Sequence, residues 1–511
     1  MSKIGEVTQK MTQYRWTIVA MLFFATTINY LDRQVLSLTW KDFIAPEFHW
    51  TNTHYGTITS LFSLFYAVGM LFAGRFVDWM DTKKGFLWAI FIWSIGAVLH
   101  AFCGIATSGI VAGQWFVGFE GAKEAIAGVA NISKVLNVSV VLFIFARLVL
   151  ALGEAGNFPA AIKATAEYFP KKDRALATSI FNAGATVGAL AAPISIPVIA
   201  KYFGWETSFI VIGALGFIWM GWWQFGYKKP DANPKVNKAE LDYILQDHNS
   251  HADGIEASKK EDAKKMPFKQ TLKYKQTWAF AFGKFMTDGV WWFYLFWTPA
   301  YLSSVYGMES SHPKAQLALF VLYMITLLSI IGGWLPSFFV NKKGMDPYAG
   351  RMKSMLIFAF FPLLALLAQP LGGYSYWFPI IIIGIAGAAH QAWSANIFST
   401  VGDMFPKSAI ATITGIGGMA GGLGSVFINK SSGVLFDYSR GTTLLDNEVV
   451  VMTKELLASG AQYVRQPMEL FGFKGEEAGY LIVFSFCAVA YLIGWSVMKI
   501  LVPKYKQIKI D

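Results

Sequence analysis

Two charged stretches sit where charge is expensive. The first, Asn29-Tyr30-Leu31-Asp32-Arg33, lies inside a run from Trp16 to Trp40 that is otherwise almost wholly hydrophobic. The second runs from Arg147 through Glu154 to Asn157, again in apolar surroundings. A charge near the middle of a membrane-spanning helix costs roughly 3 kcal/mol, so it normally faces a polar cavity and has a partner. Arg147 and Glu154 are separated by two helical turns, roughly 10 Å. They share a face without bridging each other, as two stations along one cavity wall. Two acids and two arginines buried together point to a proton-coupled path for an anionic solute. Adjacent helical residues diverge by about 100°, so Asp32 and Arg33 need not pair. The expected partner of Asp32 is Arg147.

The elements that must position these groups follow from composition. Of the 511 residues, 55% are hydrophobic and 15% charged. About twelve apolar runs reach the roughly 20 residues a helix needs to cross a bilayer. They lie near 16–40, 55–78, 86–107, 137–165, 175–200, 206–227, 277–303, 315–340, 352–370, 376–401, 408–436 and 478–502. Lipid cannot hydrogen-bond a backbone, so runs this long are helices. The expected fold is an all-α integral membrane protein of twelve transmembrane helices.

The formal charge of +11 does not indicate nucleic acid. With the N-terminus inside, about 29 of the 43 Lys and Arg fall in cytoplasmic segments and about 10 in outer loops, the positive-inside asymmetry. It predicts a multi-pass protein of the cell's inner membrane with both termini cytoplasmic. Cys103 and Cys487 lie in separate apolar spans and indicate neither a disulfide nor a metal site. No cofactor is expected beyond a coupling ion, H+. The expected partners are a small anion and the lipid bilayer, around a monomer.

A lysine-rich segment, 227–276, divides the spans into an N-terminal six-helix bundle (1–226) and a C-terminal one (277–511). A repeat supports the division. Glu167-Tyr-Phe-Pro-Lys171 with Ala175-Leu-Ala-Thr178 recurs as Asp403-Met-Phe-Pro-Lys407 with Ala409-Ile-Ala-Thr412. Paired halves of this kind bind solute near the midplane between them. Counting back from each Phe-Pro pair, His390 holds the place in the second half that Glu154 holds in the first. A histidine there either switches charge near neutral pH or stays neutral, hydrogen-bonded to a neighbouring helix. Gln391, Trp393, Ser394 and Asn396 make its span unusually polar and mark it as cavity-lining.

Lys284, Asp288, Trp291 and Trp292 fall at i, i+4, i+7 and i+8, on one helical face. Lys284 either pairs with Asp288 or holds a solute carboxylate or hydroxyl. Trp297 reads as an interfacial anchor, whereas Trp291 and Trp292 lie deeper, where a ring can stack on a sugar. Gly415-Ile-Gly417-Gly-Met-Ala420 fits a dinucleotide fingerprint, but inside an apolar helix it reads as small-residue packing. The outer segments 108–136 and 438–474 are read as short surface helices and as a polar loop.

The inner connection from Gly74 to Lys84 resembles the signature loop of the major facilitator superfamily, with Asp81 and Thr82 where glycine and arginine are usual. Within that superfamily, Asn29 to Arg33, Arg147 to Ala160 and the Phe-Pro-Lys repeat resemble the anion:cation symporter family. Asp288 to Trp297 and His390 to Asn396 look most like its bacterial hexuronate transporters. The resemblance implies proton symport of a sugar-acid anion such as galacturonate or glucuronate. It implies that Arg33 binds the carboxylate with Tyr30 and Tyr66 nearby, and that Asp32 and Glu154 are protonatable. Arg147 would alternate between Asp32 and the substrate. The rival readings are a carrier of another organic anion such as an aldonate or glucarate, an uncoupled carrier or antiporter, and an exporter of drugs or cations. An integral-membrane enzyme would want a metal cluster or catalytic acids in an extramembrane domain, and neither is apparent.

Overall fold

The computed structural model describes residues 10–246, 268–445, 448–506 and 508. The first half contains α1 (Arg15–Thr39), α2 (Asn52–Met80), α3 (Thr82–Ala101), α4 (Ile132–Glu154, resuming as Asn157–Tyr168), α5 (Lys171–Phe203) and α6 (Trp205–Gly226). The second contains α7 (Lys275–Tyr306), α8 (Pro313–Thr326, resuming as Ile331–Lys343), α9 (Pro347–Phe360), α10 (Trp377–Met404), α11 (Lys407–Arg440) and α12 (Glu476–Leu501). Among the described residues, nine helices are long and apolar enough to cross a membrane. The remaining three long ones are α1, α7 and α11, of 25, 32 and 34 residues. At 1.5 Å per residue even α1 spans about 37 Å, more than the roughly 30 Å of hydrocarbon. They fall short in apolarity because α1 and α7 carry the buried charges and α11 carries glycine and serine.

The sequence repeat has a structural meaning. Helices α4 and α10 both end just before an extended phenylalanine, Phe169 or Phe405, and the next helix is capped by Pro170 (φ −62°, ψ 155°) or Pro406 (φ −64°, ψ 151°). Proline disfavours helix in the residue before it and cannot continue the ladder. The same dipeptide therefore turns the chain in the same way twice.

The two halves meet along α2 and α11. The ends of these helices away from the 227–276 segment, here the far side, are stitched together. Asp437 accepts from the backbone N–H of Asn52 (3.0 Å) and of Thr53 (2.7 Å), the orphan donors that open α2. Asn52 also donates to Glu476 (2.6 Å), which pairs with Arg440 at 2.8 Å and lies 3.8 Å from Lys41. Burial pushes the Lys41 ammonium down to about 8, so it carries its charge below that pH. Nearby, Asp42 accepts from Ser303 and from both the N–H and the hydroxyl of Ser310. Further along the seam Ser63 and Ser425 bond at 2.8 Å. Toward the linker side a Cβ on Gly415 would lie in ordinary contact with the Leu71 side chain at 3.8 Å, and one on Gly74 would meet nothing within 4 Å.

Gly433 permits the far-side contact, since a Cβ there would overlap the Asn52 carbonyl oxygen. Gly433→Val is expected to wedge the seam apart. A cysteine placed at the buried Ser60 should then be labelled several-fold faster by an impermeant reagent applied on that side. Unchanged labelling would mean that the seam does not close the far side.

Two expectations need correction. Trp297 is no lipid-interface anchor: it is fully buried, donates to Asn429 at 2.9 Å and packs edge-on against Tyr55 and Phe436. Its indole satisfies an amide inside the seam, a use that end-of-helix position does not reveal. The outer segment 438–474 is also more than a loop. Strands β1 (Thr442–Leu445), β2 (Glu448–Val451) and β3 (Tyr463–Arg465) form an antiparallel sheet in the order β2-β1-β3, followed by the β4 (Glu469–Leu470) and β5 (Phe473–Lys474) hairpin. In 108–136, the surface helix Gly118–Ala127 is present as expected.

Candidate functional site

Arg33 lies at the centre of the site. Its side chain leaves α1, crosses to α4 and grips Glu154 Oε2 through Nε at 3.0 Å and Nη2 at 2.8 Å. The guanidinium also lies 4.7 Å from the Tyr66 ring, 5.2 Å from Tyr30 and 5.0 Å from Trp292. Aromatic faces attract a cation more strongly when water is excluded, and Arg33 is only 4% exposed. Tyr30 and Tyr66 belong to the first half and Trp292 to the second, so one cation is shared by both bundles. Glu154 is held in place by the close crossing of α3 and α4: a Cβ on the preceding Gly153 would overlap the Trp93 backbone.

This pairing differs from the expected one. Asp32 and Arg147 form no ion pair, and among the described residues neither carboxylate oxygen of Asp32 has a hydrogen-bond partner. Arg147 instead lies over the Phe62 ring at 5.1 Å, with Nε and Nη1 unpartnered. The reason is geometric. Arg33 is long enough to reach Glu154 on α4, while the adjacent Asp32 points elsewhere on α1. Asp32 still feels Glu154, Arg147 and Arg33 electrostatically. Both amide groups of Asn29 and Asn157 are buried beside these charges and likewise lack partners. Buried polar groups without hydrogen bonds are uncommon in folded proteins and call for a reason. With Glu154 Oε1, which also lacks a partner, five such residues in one region mark the site better than any single motif.

A second cluster lies on α7, α10 and α12. Lys284 bonds Asp288 at 2.6 Å and sits 4.1 Å over the Phe398 ring. Trp291 stacks flat on His390, 5.5 Å between ring centres, and His390 Nδ1 is 2.8 Å from the Tyr491 hydroxyl. Of the two readings of His390, the structure matches hydrogen bonding to a neighbouring helix. Trp393 is fully buried with its edge against Tyr491. Asn396 spends its amide N–H groups on the Gly332 and Ala392 carbonyls at 2.8 Å each, tying α10 to α8. The structure thus gathers Tyr30, Arg33, Tyr66, Trp292, Asp32, Arg147 and Glu154 around one centre. It gathers Lys284, Trp291 and His390 in the second cluster, leaves Trp393 Nε1 buried without a partner among the described residues, and spends Asn396 on tying α10 to α8. Sequence reasoning missed Phe62 and Tyr491, aromatics in apolar runs with no distinguishing signal.

Two helical halves that enclose charge midway are the architecture of a membrane carrier. The match to the family model for the Major Facilitator Superfamily spans residues 22–428, and the chain belongs to that superfamily. It is a transporter and not an enzyme. It is 28% identical over 434 residues to the hexuronate transporter of Escherichia coli (strain K12), covering 84% of this chain and 89% of that protein. A probable galactarate/D-glucarate transporter of Bacillus subtilis (strain 168) is also 28% identical, over 83% of this chain and 84% of its own length. In fold, the chain resembles a bacterial homologue of the human lysosomal transporter Spinster, solved inward-facing and occupied. The TM-score is 0.62 at 17% identity, covering 96% of this chain and 97% of the other.

Proposed function

We propose that this chain is a proton-coupled symporter of sugar-acid anions, with a hexuronate as the preferred substrate, in the cell's inner membrane. The observation that carries the reading is Arg33, a buried guanidinium held between aromatic rings of both bundles and neutralised by one exchangeable acid. The named relatives supply the substrate class, sugar acids. By charge distribution the linker side is cytoplasmic.

The coupling runs as follows. With Glu154 ionised, Arg33 is satisfied and a solute carboxylate gains little by approaching it. When Glu154 takes up a proton, the guanidinium is released to a two-oxygen carboxylate that it can grip through its fork. Asp32, buried without a donor around it, is the second group that gains from a proton. Arg147 stands between them as the positive charge available to either. A bound anion joins Arg33 and its rings across the two halves, which lets the cavity close without an unpaired charge.

Purified protein in liposomes is the test. With the outside more acidic than the inside, labelled galacturonate should accumulate above its external concentration, and a protonophore should abolish the excess. Uptake that ignores the pH gradient would remove the proton; absence of uptake for every sugar acid would remove the substrate class.

A further inference from the structure

Lys284 and Asp288 form an ion pair that the coupling scheme leaves unused. With Trp292 they make a stripe at i, i+4 and i+8 along α7, ending on the ring against which Arg33 rests. Eight residues rise about 12 Å. A six-carbon chain with carboxylates at both ends holds its terminal carbons about 6–7 Å apart, with bonds of about 1.5 Å. Adding a hydrogen bond of about 3 Å at each end brings the reach of such a molecule close to that rise. The start of the Lys284–Asp288 pair thus lies about one extended diacid length along α7 from the ring against which Arg33 rests.

The second pair offers a particular chemistry. Lys284 has its charge cancelled by Asp288 at 2.6 Å, and the lysine side chain is 4% exposed against 16% for the aspartate. Asp288 Oδ1 has no hydrogen-bond partner among the described residues. The acid has its room because the facing residue on α11 is Gly421, where a Cβ would overlap the carboxylate. A solute end that approaches the pair meets a negative charge beside a cation already taken, with the buried Oδ1 still lacking a donor. A hydroxyl can donate to that acceptor; a carboxylate can only accept, and is repelled.

We infer that Asp288 is a specificity determinant which, by neutralising Lys284, restricts the carrier to sugar acids with one carboxylate and rejects those with two. This rests on the sugar-acid reading given above. It separates the two substrate classes that equally similar relatives carry, and it works as specificity often does, by a repulsive element placed against the competitor.

The test compares galacturonate with galactarate, its two-carboxylate counterpart, in liposomes containing wild-type protein, Asp288→Asn, or Lys284→Gln/Asp288→Asn. Wild type should take up labelled galacturonate with weak competition from galactarate. Asp288→Asn frees the Lys284 charge and should strengthen galactarate competition by about tenfold or more, the scale of a charge pair at a binding surface. The double variant is neutral again and should return toward wild-type selectivity. Wild type that carries both acids equally overturns the inference without touching the sugar-acid reading, and does so even if the variants fail to fold. Asp288→Asn with wild-type selectivity, or a double variant as permissive as the single, overturns it too. Wild type that carries neither acid overturns the sugar-acid reading and this inference with it.

Discussion

Arg33→Ala is expected to abolish measurable uptake of hexuronate, or to raise the half-saturating concentration at least a hundredfold. Two effects act together. The solute loses the fork that matches its carboxylate, and Glu154 loses both bonds that neutralise it, at 2.8 and 3.0 Å. Truncating one partner of a buried, hydrogen-bonded charge pair at a binding site costs about 2–5 kcal/mol of binding, and each 1.4 kcal/mol is about a factor of ten in affinity. Arg33→Lys separates the effects. It keeps the charge but gives up the planar fork and its stacking on Tyr66 and Trp292, and should bind between the two extremes. Equilibrium binding in detergent, read beside uptake, distinguishes lost affinity from lost movement. Wild-type affinity in Arg33→Ala would end the carboxylate-clamp assignment.

Glu154→Gln is expected to uncouple transport from the proton gradient. Glutamine keeps the shape and one acceptor oxygen for Arg33 but cannot bind and release a proton. One pH unit is worth about 1.4 kcal/mol per proton, so wild type should concentrate the solute about tenfold for each coupled proton. The variant should stop at equal concentrations on the two sides while still exchanging labelled for unlabelled solute. If gradient-driven accumulation survives intact, the proton is carried elsewhere, and Asp32→Asn becomes the next variant to measure.

How much of this was legible beforehand depends on what kind of information each feature needs. Nine of the helices required only length and apolarity, and the ends of α4 and α10 only the Phe-Pro pairs at 169–170 and 405–406. The charged residues were conspicuous because lipid makes any charge conspicuous. The Lys284–Asp288 pair was readable because both partners lie one turn apart on the same helix. Which arginine takes which acid was not readable, since that depends on how far α1 and α4 are rotated about their own axes. Asp42 and Asp437 escaped notice for another reason. At helix ends near water an aspartate looks ordinary, and only the opposing bundle shows what it receives. The small sheet of 442–465 was hidden in strands of three and four residues, too short for alternation to register.

The pairing of Arg33 with Glu154 also bears on how the protein is made. Helix α1 precedes α4 in the chain, and it carries two residues that would each cost about 2.5–3.5 kcal/mol at the centre of a lone inserted helix. The acid that neutralises Arg33 lies 121 residues later. At about 5–20 residues per second, α4 follows on the order of ten seconds behind. Until then the guanidinium of α1 lacks its carboxylate, and the helix has little reason to leave the protein-lined exit for lipid. The charge of Arg33 on α1 is therefore neutralised as in the folded protein only once α4 is in place.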